Sequence, residues 1–153
     1  MVKWIEKPVP TWRYSMTEYN FDLSPSLSEE ERNASLQGLD GQDWGEVTFS
    51  SYLVRTCHAL RRKPLRDFTV EDLRIMIGQN IGLEYLVPLA LEHLQRDPFA
   101  AGDFYPGDLL GNVLTVESSF WQRRPDLRQA VEAIVALIPD FLDTLDKKLS
   151  VFW

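Results

Sequence analysis

Apolar side chains recur at three- and four-residue intervals along most of the chain, the spacing of helices that each bury one face. Separate runs begin after Ser50, Thr69 and Gly82, and two more begin at Pro125 and Pro139. The predicted buried positions of the first three runs are Leu53, Cys57, Leu60, Val70, Leu73, Met76, Ile77, Leu86, Leu89, Ala90, His93 and Leu94. Those of the last two are Leu127, Val131, Ile134, Val135, Ile138, Phe141, Leu142, Leu145 and Leu149. The pattern predicts an all-α domain of about six or seven helices with short connections.

Residues that start helices refine these boundaries. Ser28 and Glu31 form a capping-box pattern, in which each residue satisfies a backbone N–H of the other at the helix start. This pair predicts a short helix over about 28–37. Gly38 and Gly41 follow it and are expected to end it, because glycine is the usual residue just beyond a helix.

Thr69 is the predicted N-cap of the next helix, with Asp72 in the third position and Phe68 and Leu73 placed to form a hydrophobic staple. The polar face of the preceding helix carries three arginines: Arg55, Arg61 and Arg62. Pro88 interrupts the helix predicted over 83–96. Either the regular helix starts just before this proline, or it is kinked there.

The N-terminal arm, residues 1–27, has three prolines and no regular helix pattern, yet it carries five aromatic residues: Trp4, Trp12, Tyr14, Tyr19 and Phe21. Aromatic side chains in such number favour an arm that lies against the domain, and a short strand at Val2–Ile5 is left open. We therefore expect a single domain over 1–153, with this arm and a helical core over 28–149.

Composition limits the class of protein. Of the 153 residues, 44% are hydrophobic and 12% aromatic, which is too apolar for a disordered chain. No stretch is long and apolar enough for a membrane span, and the first residues, MVKWIEKPVP, lack the apolar core of a secretory signal. We therefore expect a cytoplasmic protein that does not bind membranes.

The net charge is −7 and the isoelectric point is near 4.8, so phosphate backbones would be repelled and direct nucleic-acid binding is not expected. The acidic residues are concentrated in the first and last thirds of the chain, which are predicted to flank the core. Two interpretations stay open. The acidic surface either suits a basic partner or only maintains solubility.

Catalytic and metal-binding patterns are weak. Cys57 and His58 are neighbours on one predicted helix and point about 100° apart, so they do not form a nucleophile and base pair. The same argument separates Glu92 from His93, and two histidines are few for a zinc site. The glycine-rich segments lack the Lys-Ser/Thr of a phosphate-binding loop. We expect no enzyme activity, no metal and no cofactor.

Exposed acids and loop aromatics are the remaining candidates for function. Trp44 lies with Glu46 in one turn-rich loop, and Tyr105 lies with Asp103 and Asp108 in another. An aromatic anchor within a charged rim is typical of protein-binding hot spots. The alternative is that Trp44 and Tyr105 close the two ends of the core.

Four runs of sequence carry a resemblance to a known family: SYLVRTCHALRRKPL from Ser51, FTVEDLR from Phe68, IGLEYLVPLALEHL from Ile81 and GDFYPGDLL from Gly102. In this order they resemble the immunity proteins (CdiI) of bacterial contact-dependent growth inhibition systems. The likeness extends over about 36–138 and begins with a segment that contains Trp44-Gly45-Glu46. Most of the matching residues are apolar or end a helix, so the resemblance concerns the fold first.

The resemblance implies a non-catalytic inhibitor in the bacterial cytoplasm that binds the C-terminal toxin domain of a cognate CdiA protein, with one inhibitor to one toxin. Many such toxins are nucleases with basic clefts, which an acidic protein could occupy. We predict contacts from loop position and chemistry at Trp44, Glu46, Asp103, Tyr105 and Asp108. Two alternatives are a helical adaptor that self-associates through the arm, and a small-ligand enzyme that uses Asp103 and Asp108 with His58 or His93.

Overall fold

A computed structural model describes residues 26–48 and 51–152, and these fold into helices joined by short loops. The α-helices are α1 (Glu29–Asn33), α2 (Leu36–Asp40), α3 (Tyr52–Arg61), α4 (Val70–Gly78), α5 (Leu83–Arg96), α6 (Asp108–Leu114), α7 (Ser118–Arg123), α8 (Pro125–Ala136) and α9 (Ile138–Phe152). One turn of 3₁₀-helix covers Leu65–Asp67. The described residues form no strand, and the predicted all-α fold is confirmed. The arm and the strand considered at Val2–Ile5 lie outside the described residues, apart from Ser26 and Leu27.

Helix α5 lies at the centre of the core, in contact with α4, α6 and α8. Its buried side chains continue around most of the helix: Leu83, Leu86, Val87, Pro88, Leu89, Ala90, Leu91 and Leu94. The helix runs without a break from Leu83 through Pro88, which excludes a start just before the proline. Gly82 precedes it with φ 65°, a conformation that glycine adopts more readily than other residues.

The start of α4 confirms the predicted capping box. The Thr69 hydroxyl accepts the Asp72 N–H at 3.1 Å, and the Asp72 carboxylate accepts the Thr69 N–H at 3.0 Å. Phe68 and Leu73, the two staple residues, are both buried in the core. The Lys63 ammonium donates to the same Asp72 carboxylate at 2.6 Å, so the segment between α3 and α4 is attached to this helix start.

The helix predicted over 28–37 is two helices. The Ser28–Glu31 capping box is present, but Ala34 and Ser35 are extended, and Ser35 forms an isolated bridge with Pro64. The Leu65 N–H donates to the Ala34 carbonyl at 2.9 Å, a bond that requires the break in the helix. The prediction failed because this pairing joins residues distant in sequence. Because of such short helices, the described residues contain nine α-helices, more than the six or seven predicted.

Helix α3 buries a different set of residues from the predicted one. Cys57 and Leu60 are in the core as expected, but Leu53 and Val54, in the first turn, are exposed. Arg61, predicted for the polar face, is 3% exposed. Its burial is possible because its guanidinium is paired with acceptors from the loop that follows α2.

Candidate protein-binding loops

The first candidate site comprises the last residue of α2 and the loop that follows it, residues 40–46, which we call the Trp44 loop. From α3, the Arg61 guanidinium donates to both carboxylate oxygens of Asp40 at 2.8 Å and to the Gln42 carbonyl at 2.7 Å. The hydrogen bonds from Arg61 hold the pKa of Asp40 below its usual value, despite some burial. A buried arginine of the neighbouring helix therefore fastens the base of this loop.

Trp44 lies on that arginine. The guanidinium carbon of Arg61 is 4.4 Å from the centre of the indole ring, and the His58 ring meets the indole edge-on at 5.2 Å. Trp44 nevertheless keeps 41% of its surface exposed, so it is a supported surface side chain and does not close the core. Glu46 is exposed beside it.

The turn around Trp44 is ordered by short local contacts. Gly45 has φ 69°, and its N–H donates to the Asp43 carboxylate at 2.8 Å. The guanidinium of Arg62, the residue that caps the C-terminus of α3, donates to the Gly45 carbonyl at 3.3 Å and lies 3.8 Å from the Asp43 carboxylate. Arg61 and Arg62 thus bind the loop at residues that precede and follow Trp44 in the sequence.

The second candidate site comprises the loop before α6 and the first residue of that helix, residues 102–108, which we call the Phe104 loop. Asp108 is 1% exposed and points inward, where it accepts the backbone N–H groups of Gly102 at 2.6 Å and Phe104 at 3.1 Å. Burial would raise the pKa of Asp108, but these N–H groups and the nearby Arg74 hold it below its usual value. The sequence prediction placed Asp108 on the rim; the structure places it under the loop.

Phe104 lies on a second arginine. The guanidinium carbon of Arg74, in α4, is 4.2 Å from the centre of the Phe104 ring, and its Nε lies 3.8 Å from the Asp108 carboxylate. Glu71 accepts two hydrogen bonds from Arg74, at 2.6 and 2.7 Å, and one from the Asp103 N–H at 2.8 Å. Phe104 is 71% exposed and Tyr105 is 59% exposed, and Asp103 is also exposed.

The two loops have the same construction: an exposed aromatic ring on an arginine that a helix supplies and a carboxylate holds. Among the described residues, no hydrogen bond, ion pair or ring contact joins one loop to the other. Sequence reasoning selected Trp44 and Tyr105 but missed Phe104 and the two supporting arginines. Phe104 had a signal, since it lies next to Tyr105 in the same acidic loop, whereas Arg61 and Arg74 resembled ordinary polar-face residues.

The other candidate functional groups, Cys57 and His93, lie outside both loops. Cys57 is buried, and burial raises the pKa of its thiol. Burial, and then the charge of Arg96, lower the pKa of His93, which is half-buried. Within residues 26–48 and 51–152, no three His, Cys, Asp or Glu side chains are grouped to hold a metal ion.

A cavity of about 370 Å³ lies between α6, α7 and α8, with Trp121, Val116 and Val131 in its wall.

The comparison with known proteins concerns the region that holds both loops. None of the helices described is both long and apolar enough to cross a membrane. No curated protein and no solved structure matches the chain. The family model of the CDI immunity proteins matches residues 38–131, more than half of the chain. This match includes both the Trp44 loop and the Phe104 loop, and the chain belongs to the family of CDI immunity proteins.

Proposed function

We propose that this immunity protein neutralises the C-terminal toxin domain of a cognate CdiA protein by binding it directly, one to one, through the Trp44 and Phe104 loops. The observation that carries the proposal is the construction of the two loops. Each presents an exposed aromatic ring that an arginine already supports, with exposed acids beside it.

Pre-ordered aromatic side chains suit a protein interface. Tight binding is usually concentrated in a few aromatic or arginine side chains, and ordering a mobile side chain during binding lowers affinity. The rings of Trp44 and Phe104 are held over Arg61 and Arg74 before a partner arrives, so less conformational entropy is lost on binding. Tyr105 adds a second ring to the Phe104 loop.

The charge of the chain suits a basic toxin. A net charge of −7 accelerates association with a positively charged surface, and nuclease clefts are positively charged because they bind phosphates. Asp103 and Glu46 are exposed in the two loops and supply acids at the rim. We therefore propose that the toxin is a nuclease, neutralised in the cytoplasm when its substrate cleft is occupied and without any reaction catalysed by the immunity protein.

Asp108 acts in this proposal through the backbone of its loop. Its carboxylate holds the N–H groups of Gly102 and Phe104, so it positions the exposed residues between them. It is therefore a positioning residue for partner binding. The sequence predicts five contacts, of which we keep Trp44, Glu46, Asp103 and Tyr105 as candidates for direct contact. We propose Phe104 as a further contact.

The test is calorimetric titration of the toxin domain encoded beside this chain, at two salt concentrations. We expect one-to-one binding that weakens as salt increases, because charged surfaces are screened. Trp44→Ala and Phe104→Ala should each weaken binding at least about tenfold. Tyr52→Ala is the matched control, because it removes an aromatic side chain outside both loops that is 74% exposed, close to the 71% of Phe104.

Two results would contradict different parts of the proposal. If the toxin domain does not bind at micromolar concentrations, direct neutralisation of this toxin is wrong. If it binds tightly but the loop variants behave like Tyr52→Ala, the partner occupies another face and only the assignment of the loops fails. In a toxin activity assay, the variants should inhibit the toxin in the same order as their affinities for it.

A further inference from the structure

An exposed apolar surface continues from the Phe104 loop along α6. A Cβ added at Gly111, in this helix, would lie 3.4 Å from the Tyr105 hydroxyl, so the tyrosine side chain reaches the helix. Leu114 comes three residues after Gly111, and residues three apart share a helix face. Phe104, Tyr105 and Leu114 are 71%, 59% and 54% exposed. Together these three side chains form an apolar surface that we call the α6 strip.

The α6 strip ends at the cavity between α6, α7 and α8. Leu114 lines this cavity together with Trp121, and the buried side chains of Val116 and Val131 form its floor. The Trp121 indole N–H donates to the Val116 carbonyl at 3.2 Å, and the indole meets the Phe120 ring edge-on at 5.1 Å. The tryptophan is therefore held in place, and the strip leads from exposed rings to a preformed apolar cavity.

The polar groups of the cavity wall favour an apolar occupant over a charged one. Arg128 and Glu132 pair with each other at 2.8 Å, and the Trp121 N–H already has its acceptor. These two charged residues, with Ser118 and Gln122, are exposed, so they surround an apolar floor as the polar rim of a protein interface does. Pockets for drug-sized ligands begin at about 300 Å³, so a cavity of about 370 Å³ has room for one large side chain of a partner.

We propose that the toxin domain binds along the α6 strip and inserts a leucine or aromatic side chain into this cavity. The inference rests on the proposed function and extends the contact surface of the Phe104 loop. Continuity assigns the cavity to the toxin, because the strip joins it to the exposed rings of that loop. The residues from Phe104 to Val131 also lie within the family match. A side chain that fills a pocket loses all its contact with water, which is typical of the residues that dominate binding.

The first test fills the cavity with a side chain of the immunity protein itself. Ser118 is exposed and lines the cavity, whereas its neighbour Ser119 is exposed but does not line it. In calorimetric titrations of the toxin domain encoded beside this chain, Ser118→Phe should weaken binding at least about tenfold. Ser119→Phe adds the same ring one residue away in α7 and should bind as wild type does. Circular dichroism and urea unfolding check that both variants keep the fold.

A second test shortens the strip where it meets the cavity, by a substitution that adds no bulk. Leu114→Ala removes exposed apolar surface from the proposed contact and should weaken toxin binding about three- to tenfold. Leu142→Ala is the matched control. Leu142 is 51% exposed against 54% for Leu114, and it lies in α9, away from the strip, so this variant should bind as wild type does.

The outcomes separate this inference from the proposed function. If the wild-type chain does not bind the toxin domain, both fail together. If it binds, and Phe104→Ala weakens binding while Ser118→Phe and Leu114→Ala do not, only the insertion into the cavity is wrong. Equal losses in Ser118→Phe and Ser119→Phe would also overturn the inference, because the effect would then not come from the cavity.

Discussion

The guanidinium of Arg61 contacts both the Asp40 carboxylate, to which it donates at 2.8 Å, and the Trp44 ring, whose centre is 4.4 Å from the guanidinium carbon. One side chain of α3 therefore neutralises an acid, holds a loop and supports the ring that the loop exposes. The stability of the fold and the position of a proposed binding residue depend on the same group.

Arg61→Met should lower the free energy of unfolding by about 2–4 kcal/mol, because it leaves Asp40 and the Gln42 carbonyl without their donor. Urea denaturation measures this loss. Arg62→Met is the control, since Arg62 is the next residue and is exposed; it should cost less than about 1 kcal/mol. Equal losses in the two variants would show that Arg61 is not the fastening residue.

Asp108→Asn should be less stable than wild type by about 1–3 kcal/mol at pH 7, because a neutral amide binds the Gly102 and Phe104 N–H groups less strongly. The native pKa of Asp108 is lowered relative to the unfolded chain. Its ionised form therefore contributes its full stabilisation above the unfolded pKa of about 4 and loses it as the pH falls towards the native pKa.

The pH dependence separates Asp108 from the other acids. Asp40 and Glu71, each bonded to an arginine, also have lowered pKa values, so wild-type stability should decrease below about pH 4 for several reasons. Unfolding curves of wild type and Asp108→Asn from pH 7 to pH 3 should converge as the pH falls. A constant difference across this range would mean that the charge of Asp108 does not stabilise the loop.

Gly82→Ala should destabilise the fold by about 2–3 kcal/mol, because a Cβ at this position would lie 2.7 Å from a methyl group of the buried Leu36 and the backbone has φ 65°. Gly41 offers a matched comparison. It has φ 69° but nothing within 4 Å of the added Cβ, so Gly41→Ala isolates the backbone cost of about 1 kcal/mol. Thermal or urea unfolding measures the loss of stability in both variants. The loss in Gly82→Ala minus the loss in Gly41→Ala is the contribution of the steric clash.

Cys57 should resist thiol reagents in the folded protein. Its side chain is buried, and burial raises the pKa of the thiol, so the reactive thiolate is both inaccessible and disfavoured. Labelling by a chromogenic disulfide should be slower than in denaturant by a factor on the order of 100 or more, since it waits for local opening. Fast labelling of the native chain would contradict the placement of Cys57 in the core.

Local sequence patterns predicted the helices well where the determining residues are neighbours. Thr69 with Asp72 marked the start of α4, and Pro125 marked the start of α8, because caps and first-turn prolines act within three or four residues. The break at Ala34 was missed because its cause, the pairing with the segment at Pro64 and Leu65, lies about 30 residues further along the chain.

The candidate sites likewise combine features that neighbouring residues predict with features that depend on partners elsewhere in the fold. The loops that carry Trp44 and Tyr105 could be chosen from their glycines, acids and aromatic residues, and both aromatic side chains are exposed as an interface residue must be. The inward turn of Asp108 and the burial of Arg61 could not be predicted from helix periodicity. Each depends on a partner outside the residue's own helix, the Gly102 N–H for Asp108 and the Asp40 carboxylate for Arg61.

The attachment of the two loops from beneath has an evolutionary consequence. Arg61 and Arg74 fasten the loops through carboxylates and backbone groups, while the rings of Trp44, Phe104 and Tyr105 contribute exposed surface. Substitutions at those exposed tips alter what a partner meets and leave the fastening bonds intact. If the loops bind the toxin as proposed, a lineage under pressure from changing toxins could revise this surface residue by residue, with little effect on its ability to fold.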